Sequence, residues 1–374
     1  LPCSKSLSDK QQWGMVLNLT GIRGVAAIWV FSSHYQEYFV GLFPQLNVFN
    51  FIFQNGAFGV DLFFCLSGFI LGYVYLEDFS DVQLKGRGPK LQKYFLRRLA
   101  RIYPTYLLTT ILAGILYTLA IISGHNFENE SGSTLSVANA FFNILGIQTW
   151  LGLPSLNGPA WSVSAELLAY ILFPFFVFTF SKWLLCSTFR AFCTLIVNVI
   201  WYEISLHAPM FVEPRISQVL SEFFMGLSMY VICKDLVVRR KIVIVTRISL
   251  FCGLLIFLSL TNSEIILKSV IPPVLLLIIG LYSFVNIAGK GLSRRGIVNL
   301  GLWSYSLYLT HRLLQNVMSG LNLPKYEAGI MVRLLQVVAL VVIPLVLAWV
   351  TTKFFENPCR RLIVKSKLQS KEMS

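Results

Sequence analysis

The stretch GIRGVAAIWVFSSHYQEYF, residues 21 to 39, sets Arg23 and His34 eleven positions apart in an otherwise apolar run. At about 1.5 Å of rise per residue they stand roughly 16 Å apart along a helix, near half the thickness of a bilayer core. An imidazole at that depth can act as a general base, because its charge change falls near neutral pH. It can equally stay neutral and hydrogen-bond a neighbouring helix. Arg23 can equally be an anchor whose guanidinium reaches back to the membrane surface. Ionisable groups inside a membrane are costly, so each is a candidate for function.

Five further stretches carry polar or charged side chains in or beside apolar runs. In GVDLFFCLSGFILGY, Asp61 offers a carboxylate that could hold the His34 ring in the tautomer a base requires, while Ser67, Gly68 and Gly72 give a small-residue face for helix packing or room for a ligand chain. In KYFLRRLARIYPTY, Arg97, Arg98 and Arg101 fall within about one helical turn beside Tyr103, with Pro104 expected to open the span. Guanidinium groups so spaced suit a phosphate clamp, and they also suit lipid headgroups. In NGPAWSVSAELLAY, Ser162 and Glu166 are four apart and share a helix face next to Trp161. A helix cap explains Ser162 but not Glu166, which lies a turn inside. In LGLWSYSLYLTHRLLQ, Tyr305, Tyr308, His311 and Arg312 sit within one apolar span, and in FFENPCRRL an ion pair of Glu356 with Arg360 is expected at the cytoplasmic surface.

The elements that must position these groups are membrane helices. The chain is 56% hydrophobic and 13% charged, with a mean hydropathy of +0.68. Soluble domains carry about 25% charge, so the expectation is an all-α polytopic membrane protein. Apolar windows long enough to span fall near 16 to 39, 56 to 76, 102 to 122, 160 to 180, 187 to 205, 216 to 233, 242 to 261, 265 to 287, 297 to 319 and 330 to 352. That predicts ten transmembrane helices. Residues 136–160 are apolar but broken by Gly and Pro, which predicts a short or re-entrant segment at the outer face.

With an even number of spans both termini share a side, and 26 of the 31 Lys and Arg residues fall on it. Cytoplasmic loops collect these residues, so both termini are expected in the cytoplasm. The same asymmetry accounts for the net charge of +14 without nucleic acid or another polyanionic partner. The seven cysteines are scattered, with neither a disulfide framework nor zinc spacing, and no metal is expected. The opening LPCSKSLSDKQQ lacks the order of a signal peptide. One domain is expected over residues 1–374, with a membrane core at 16–352 and a cytoplasmic tail at 353–374.

Taken in order, Arg23 with ten residues before His34, GVDLFFCLSGFIL, RRLARIYP, WSVSAE, YSLYLTH and ENPCRR resemble the acyltransferase-3 family of integral membrane acyltransferases. The resemblance implies a ten-helix domain in the bacterial inner membrane. It would take an acyl group, usually acetyl, from cytoplasmic acyl-CoA and deliver it to a hydroxyl of an extracytoplasmic glycan such as lipopolysaccharide O-antigen, capsule or peptidoglycan. The family motif carries catalysis onto His34 and Arg23 and its cytoplasmic arginines onto Arg97, Arg98 and Arg101. From the residues themselves, Asp61 is expected to orient the imidazole, Ser67 and Tyr103 to join the arginines in binding acetyl-CoA, and Trp161, Ser162, Glu166, Tyr308 and His311 to line the acceptor side. LLAY after WSVSAE and Thr310 before His311 depart from many relatives, which bears on the acceptor more than on the reaction. The residues alone leave two other readings open, a secondary transporter with a His/Asp/Glu proton relay and a scaffold for polysaccharide assembly.

Overall fold

The computed structural model describes residues 9–80, 87–124, 136–207, 213–238, 291–324 and 326–369. Among them every regular element is a helix. The chain runs α1 (Asp9–His34), α2 (Gln36–Leu42), α3 (Asn50–Gln54), α4 (Ala57–Ser80), α5 (Arg87–Ile122), α6 (Val137–Leu145), α7 (Ala160–Cys186), α8 (Thr188–His207), α9 (Pro214–Val238), α10 (Arg295–Gly320), α11 (Ile330–Thr351) and α12 (Asn357–Gln369). Among the described residues six segments are helical, long and apolar enough to cross a membrane: Val16–His34, Pro44–Ser80, Gly88–Ile122, Ala160–Ser181, Pro214–Lys234 and Ile330–Lys365. The windows at 187 to 205 and 297 to 319 coincide with α8 and α10, which are not among these six. In α10 the reason is visible, since Ser304, Ser306, Thr310 and His311 are all buried and spend their polar groups inside the protein. The windows near 242 to 261 and 265 to 287 lie outside the described residues.

Two boundaries differ from the sequence reading. Pro104 does not open a span; it lies inside α5, a continuous 36-residue helix. The arginines therefore ride on the same rod as the apolar turns after them. The first window is also not one helix, because α1 stops at His34 and the chain restarts after Tyr35, whose φ of −99° and ψ of 6° leave the helical region.

The helices fall into two compact units. The first takes in Leu1–Ala26, Phe58–Arg87 and Leu172–Gly301; the second takes in Ala27–Ala57, Gly88–Ile171 and Leu302–Ser374. In the first, α4 and α9 cross with their backbones in contact. A Cβ on Gly68 would strike the Phe223 carbonyl, and one on Gly226 would strike the Cys65 carbonyl. Small residues allow this approach, and in a membrane close packing substitutes for the hydrophobic drive that water supplies. Phe79, Phe173 and Phe223 fill the space beside the crossing, with ring centroids 6.2 and 6.1 Å apart.

In the second unit the Gly- and Pro-broken segment holds a short helix, α6. Ser136 caps it by accepting from the Asn139 N–H, and Gly146 ends it in the left-handed region at φ 75°. The irregular chain that follows is pinned by buried side chains. Asn143 donates to the Pro154 carbonyl at 3.0 Å and accepts from the Leu156 N–H at 2.9 Å, while Gln148 donates to Ser155 Oγ. Non-helical backbone at membrane depth needs such internal partners. By contrast α11 turns Met331, Leu335 and Val338 outward, as a lipid-facing helix does.

Candidate active site

The second unit gathers its polar groups around α10. His34, the last residue of α1, sets its Nδ1 3.0 Å from the Val30 carbonyl oxygen and 3.2 Å from Nε2 of His311. The rings are 4.9 Å apart between centroids and inclined by 45°. His311 is 1% exposed, and its own Nδ1 lies 3.1 Å from the Leu307 carbonyl one turn back. The break in the chain at Tyr35 makes this meeting possible. Tyr35 donates its hydroxyl to the His311 carbonyl at 2.9 Å, and Gln315 Nε2 donates to the His34 carbonyl at 3.0 Å. The last carbonyls of a helix have no partner within it, so Gln315 satisfies one of them from outside. Arg312 donates to Gln315 Oε1, which fixes the amide with its nitrogen toward His34.

Beside this pair, Ser162 and Tyr308 lie 2.8 Å apart through their hydroxyls. Ser162 also donates to the Pro159 carbonyl at 2.9 Å. A hydroxyl has one proton to give and a carbonyl can only accept, so Tyr308 donates to Ser162. Ser162 thus does not cap α7 by accepting from a backbone N–H, as the sequence pattern suggested. Its proton is committed to backbone and its oxygen to Tyr308. Asn157 ties the preceding loop to α10 by donating to the Leu309 carbonyl. Trp161 is half-buried at the start of α7.

A run of contacts joins the arginine turn of α5 to Glu166. The Arg98 guanidinium lies 5.9 Å from the centre of the Tyr170 ring, and the Tyr170 hydroxyl donates to Glu166 Oε1 at 2.5 Å. Tyr94 donates to the Tyr170 carbonyl. Arg97 is exposed and Arg101 half-buried, with Tyr103 donating to the Ile144 carbonyl. Tyr305 donates to the Ile102 carbonyl, docking α10 on α5 one turn from these arginines. Glu356 is not a surface residue. It is 5% exposed, ends a π-helical turn at Thr352–Glu356, and accepts from Ser306, which in turn accepts from Thr352. Such turns collect at functional sites. An open groove of about 380 Å³ also runs along α5 at Thr110, Ile111, Gly114, Ile115 and Thr118, and apart from the two threonines its lining is apolar.

Arg23, Asp61 and Ser67 belong to the first unit. Asp61 neighbours Glu222 of α9, with Cys65 and Tyr202 in electrostatic reach of both. Glu222 is 1% exposed and was missed by the sequence reading. The rule that flagged His34 applies to it too: it is a lone acid in the apolar run PRISQVLSEFFMGLSMYVIC. Gln315, Asn157 and Tyr35 were missed for another reason. They are ordinary polar residues whose importance lies only in the carbonyls they reach. Gly68 and Gly72 serve packing, the latter against Leu227 and Tyr230. Among the described residues no three His, Cys, Asp or Glu side chains gather to hold a metal ion.

Comparison with known proteins gives the family. The acyltransferase-3 family, described as an acyltransferase domain, matches residues 16–353, and the chain belongs to it. It is an integral membrane protein of that family. Acyltransferase MdmB of Streptomyces mycarofaciens is 25% identical over 376 residues, 92% of each chain. Peptidoglycan O-acetyltransferase OatA of Listeria monocytogenes is 26% identical over 175 residues, 45% of this chain and 25% of that one. Putative peptidoglycan O-acetyltransferase YrhL of Bacillus subtilis is 28% identical over 167 residues, 42% of this chain and 23% of its own. No solved structure matches the chain.

Proposed function

We propose that this protein is an inner-membrane O-acyltransferase. It moves an acyl group, acetyl first, from cytoplasmic acyl-CoA to a hydroxyl of an extracytoplasmic glycan, with lipopolysaccharide O-antigen as the first acceptor to test. The observation that carries the reading is the imidazole pair of half-buried His34 and buried His311 in a chain matched to the acyltransferase family over residues 16–353. The names of OatA and YrhL support O-acetyl transfer to a cell-envelope glycan. The orientation rests on the 26 of 31 basic residues that a ten-span topology places on one side with both termini.

In this reading His34 is the general base. It takes the proton of the acceptor hydroxyl as that oxygen bonds to the thioester carbonyl carbon. The C–S bond then breaks, and the thiolate leaves as the thiol by taking the proton back from the imidazolium. Arg97, Arg98 and Arg101 hold the nucleotide phosphates, with Ser67 and Tyr103 along the arm; Arg23 contributes charge on the cytoplasmic side. Trp161, Ser162, Glu166, Tyr308 and His311 form the acceptor side, with Ser162 and Tyr308 ordered by the hydrogen bond between them. Transfer through an acyl-enzyme is the variant to exclude.

The test is purified protein in nanodiscs given labelled acetyl-CoA and an O-antigen or peptidoglycan fragment. Free CoA and a gain of one acyl mass on the glycan are expected, and His34→Ala should abolish both. A wild-type protein that releases no CoA with any acyl-CoA and any glycan overturns the reading. Label retained on protein without acceptor would establish the two-step route. A proton-coupled transporter is the second reading, favoured by the Asp61–Glu222 carboxyl pair inside apolar helices. It predicts proton flux with solute and no acyl transfer.

A further inference from the structure

We infer that His311 is a positioning residue: it fixes the tautomer of His34, so that Nδ1 carries the hydrogen and Nε2 holds the basic lone pair. This rests on the reading of His34 as the base, and it assigns to His311 a task distinct from touching the acceptor.

The argument is one of donors and acceptors. The Leu307 carbonyl, 3.1 Å from His311 Nδ1, can only accept, so that nitrogen carries hydrogen. In a neutral imidazole the other nitrogen is then an acceptor, and here it is the Nε2 that faces His34. His34 Nδ1 consequently meets two acceptors, this Nε2 at 3.2 Å and the Val30 carbonyl at 3.0 Å. It can lie there only as N–H. The opposite assignment would set a lone pair of each ring against a carbonyl oxygen, one at Leu307 and one at Val30. Two backbone carbonyls, each four residues back on its own helix, therefore dictate both tautomers, and His311 transmits the choice made at Leu307 to the reacting ring.

The support is neutral. Where a carboxylate in this place would stabilise a protonated His34 strongly, a neutral imidazole offers an acceptor and no charge. The proton taken at Nε2 is then held less firmly and is returned more readily to the departing thiolate. The hydrogen bonds from Tyr35 to the His311 carbonyl and from Gln315 to the His34 carbonyl hold the two backbones in register, so the ring contact is fixed from both sides.

The test uses ¹⁵N-histidine labelling of the whole protein in nanodiscs, with single His→Gln variants assigning the four histidines. In the wild type at neutral pH, His34 should show a pyrrole-type Nδ1 bearing hydrogen and a pyridine-type Nε2. His311→Ala should move His34 toward the reverse tautomer and lower kcat on the order of 10²-fold, the lower end of what a general base contributes, with little change in KM for either substrate. His311→Gln, whose carbonyl oxygen can accept from Nδ1–H, should restore part of that kcat. A wild-type His34 protonated on Nε2, or a His311→Ala effect confined to the KM of the glycan, overturns the inference. The wild-type spectrum decides the tautomer even if His311→Ala does not fold. Transfer that survives His34→Ala would instead sink the functional reading and leave the tautomer standing.

Discussion

Each unit holds one pair of ionisable side chains inside apolar helices, and the two pairs are built on opposite principles. In the first unit Asp61 and Glu222 lie together beside the tight α4–α9 crossing. In the second, His34 and His311 are held in line by backbone carbonyls and by Tyr35 and Gln315, and each ring keeps one nitrogen as donor and one as acceptor. A closed carboxyl pair stabilises one arrangement of two helices. A directed imidazole pair fixes which ring nitrogen carries hydrogen. An intramembrane charge is thus not by itself a sign of catalysis; how its partners orient it decides.

Substitutions can break this contrast, and the largest effect is expected at His34. His34→Ala should lower acyl transfer on the order of 10²- to 10⁴-fold while the melting temperature in detergent moves little. A variant of normal activity would remove the second unit's claim to the chemistry.

Next comes the crossing that carries the carboxyl pair. Gly226→Val sets a branched side chain against the Cys65 carbonyl and should destabilise by about 3 kcal/mol or more, the upper range for overpacking. Size-exclusion profiles and thermal melts would read it, and an unshifted melt would mean that the helices part easily.

Third, Glu222→Gln keeps a hydrogen-bonding partner for Asp61 and should cost less than about 1.5 kcal/mol, whereas Glu222→Ala strands the Asp61 carboxyl and should cost about 1–3 kcal/mol. Measured beside kcat, the same pair sharpens the comparison. If Asp61 works through structure, Glu222→Gln and Asp61→Asn leave kcat within a few-fold, and a drop matching His34→Ala would return Asp61 to the catalytic set.

The smallest effect is expected at Ser162. Because its proton goes to Pro159 and its oxygen to Tyr308, Ser162→Ala should cost about 1 kcal/mol, one hydrogen bond, and retain most of the transfer rate. Complete loss would instead make Ser162 a nucleophile and favour an acyl-enzyme.

The helices were legible because lipid imposes a simple code. A window of about 20 apolar residues reads as a span whatever it packs against, and α4, α7, α9 and α11 lie close to where such windows placed them. Arg23, His34, Asp61, Glu166 and His311 stood out because charge is rare in those windows. Pairing was not legible. Chemistry alone suggests Asp61 as a partner for His34, and nothing in the sequence points to Glu222, 161 positions from Asp61, or to His311, 277 positions from His34, each of which the fold brings close. The Tyr35 break was hidden too, since Phe, Tyr and Val continue the apolar run on either side of it. Pro104 misled in the other direction, as a helix already held by tertiary contacts tolerated a residue that propensity alone would read as a boundary.

The sequence by itself determined that this chain lives in a membrane, where its helices run, and which few side chains had a cost that needs a reason. Hydropathy is a sum over local residues, so local reading suffices for it. Only the tertiary structure decided which ionisable group meets which, and in which tautomer. Hydrogen bonds are directional and reach about 3 Å, so their pattern follows from how helices far apart in the chain are brought together.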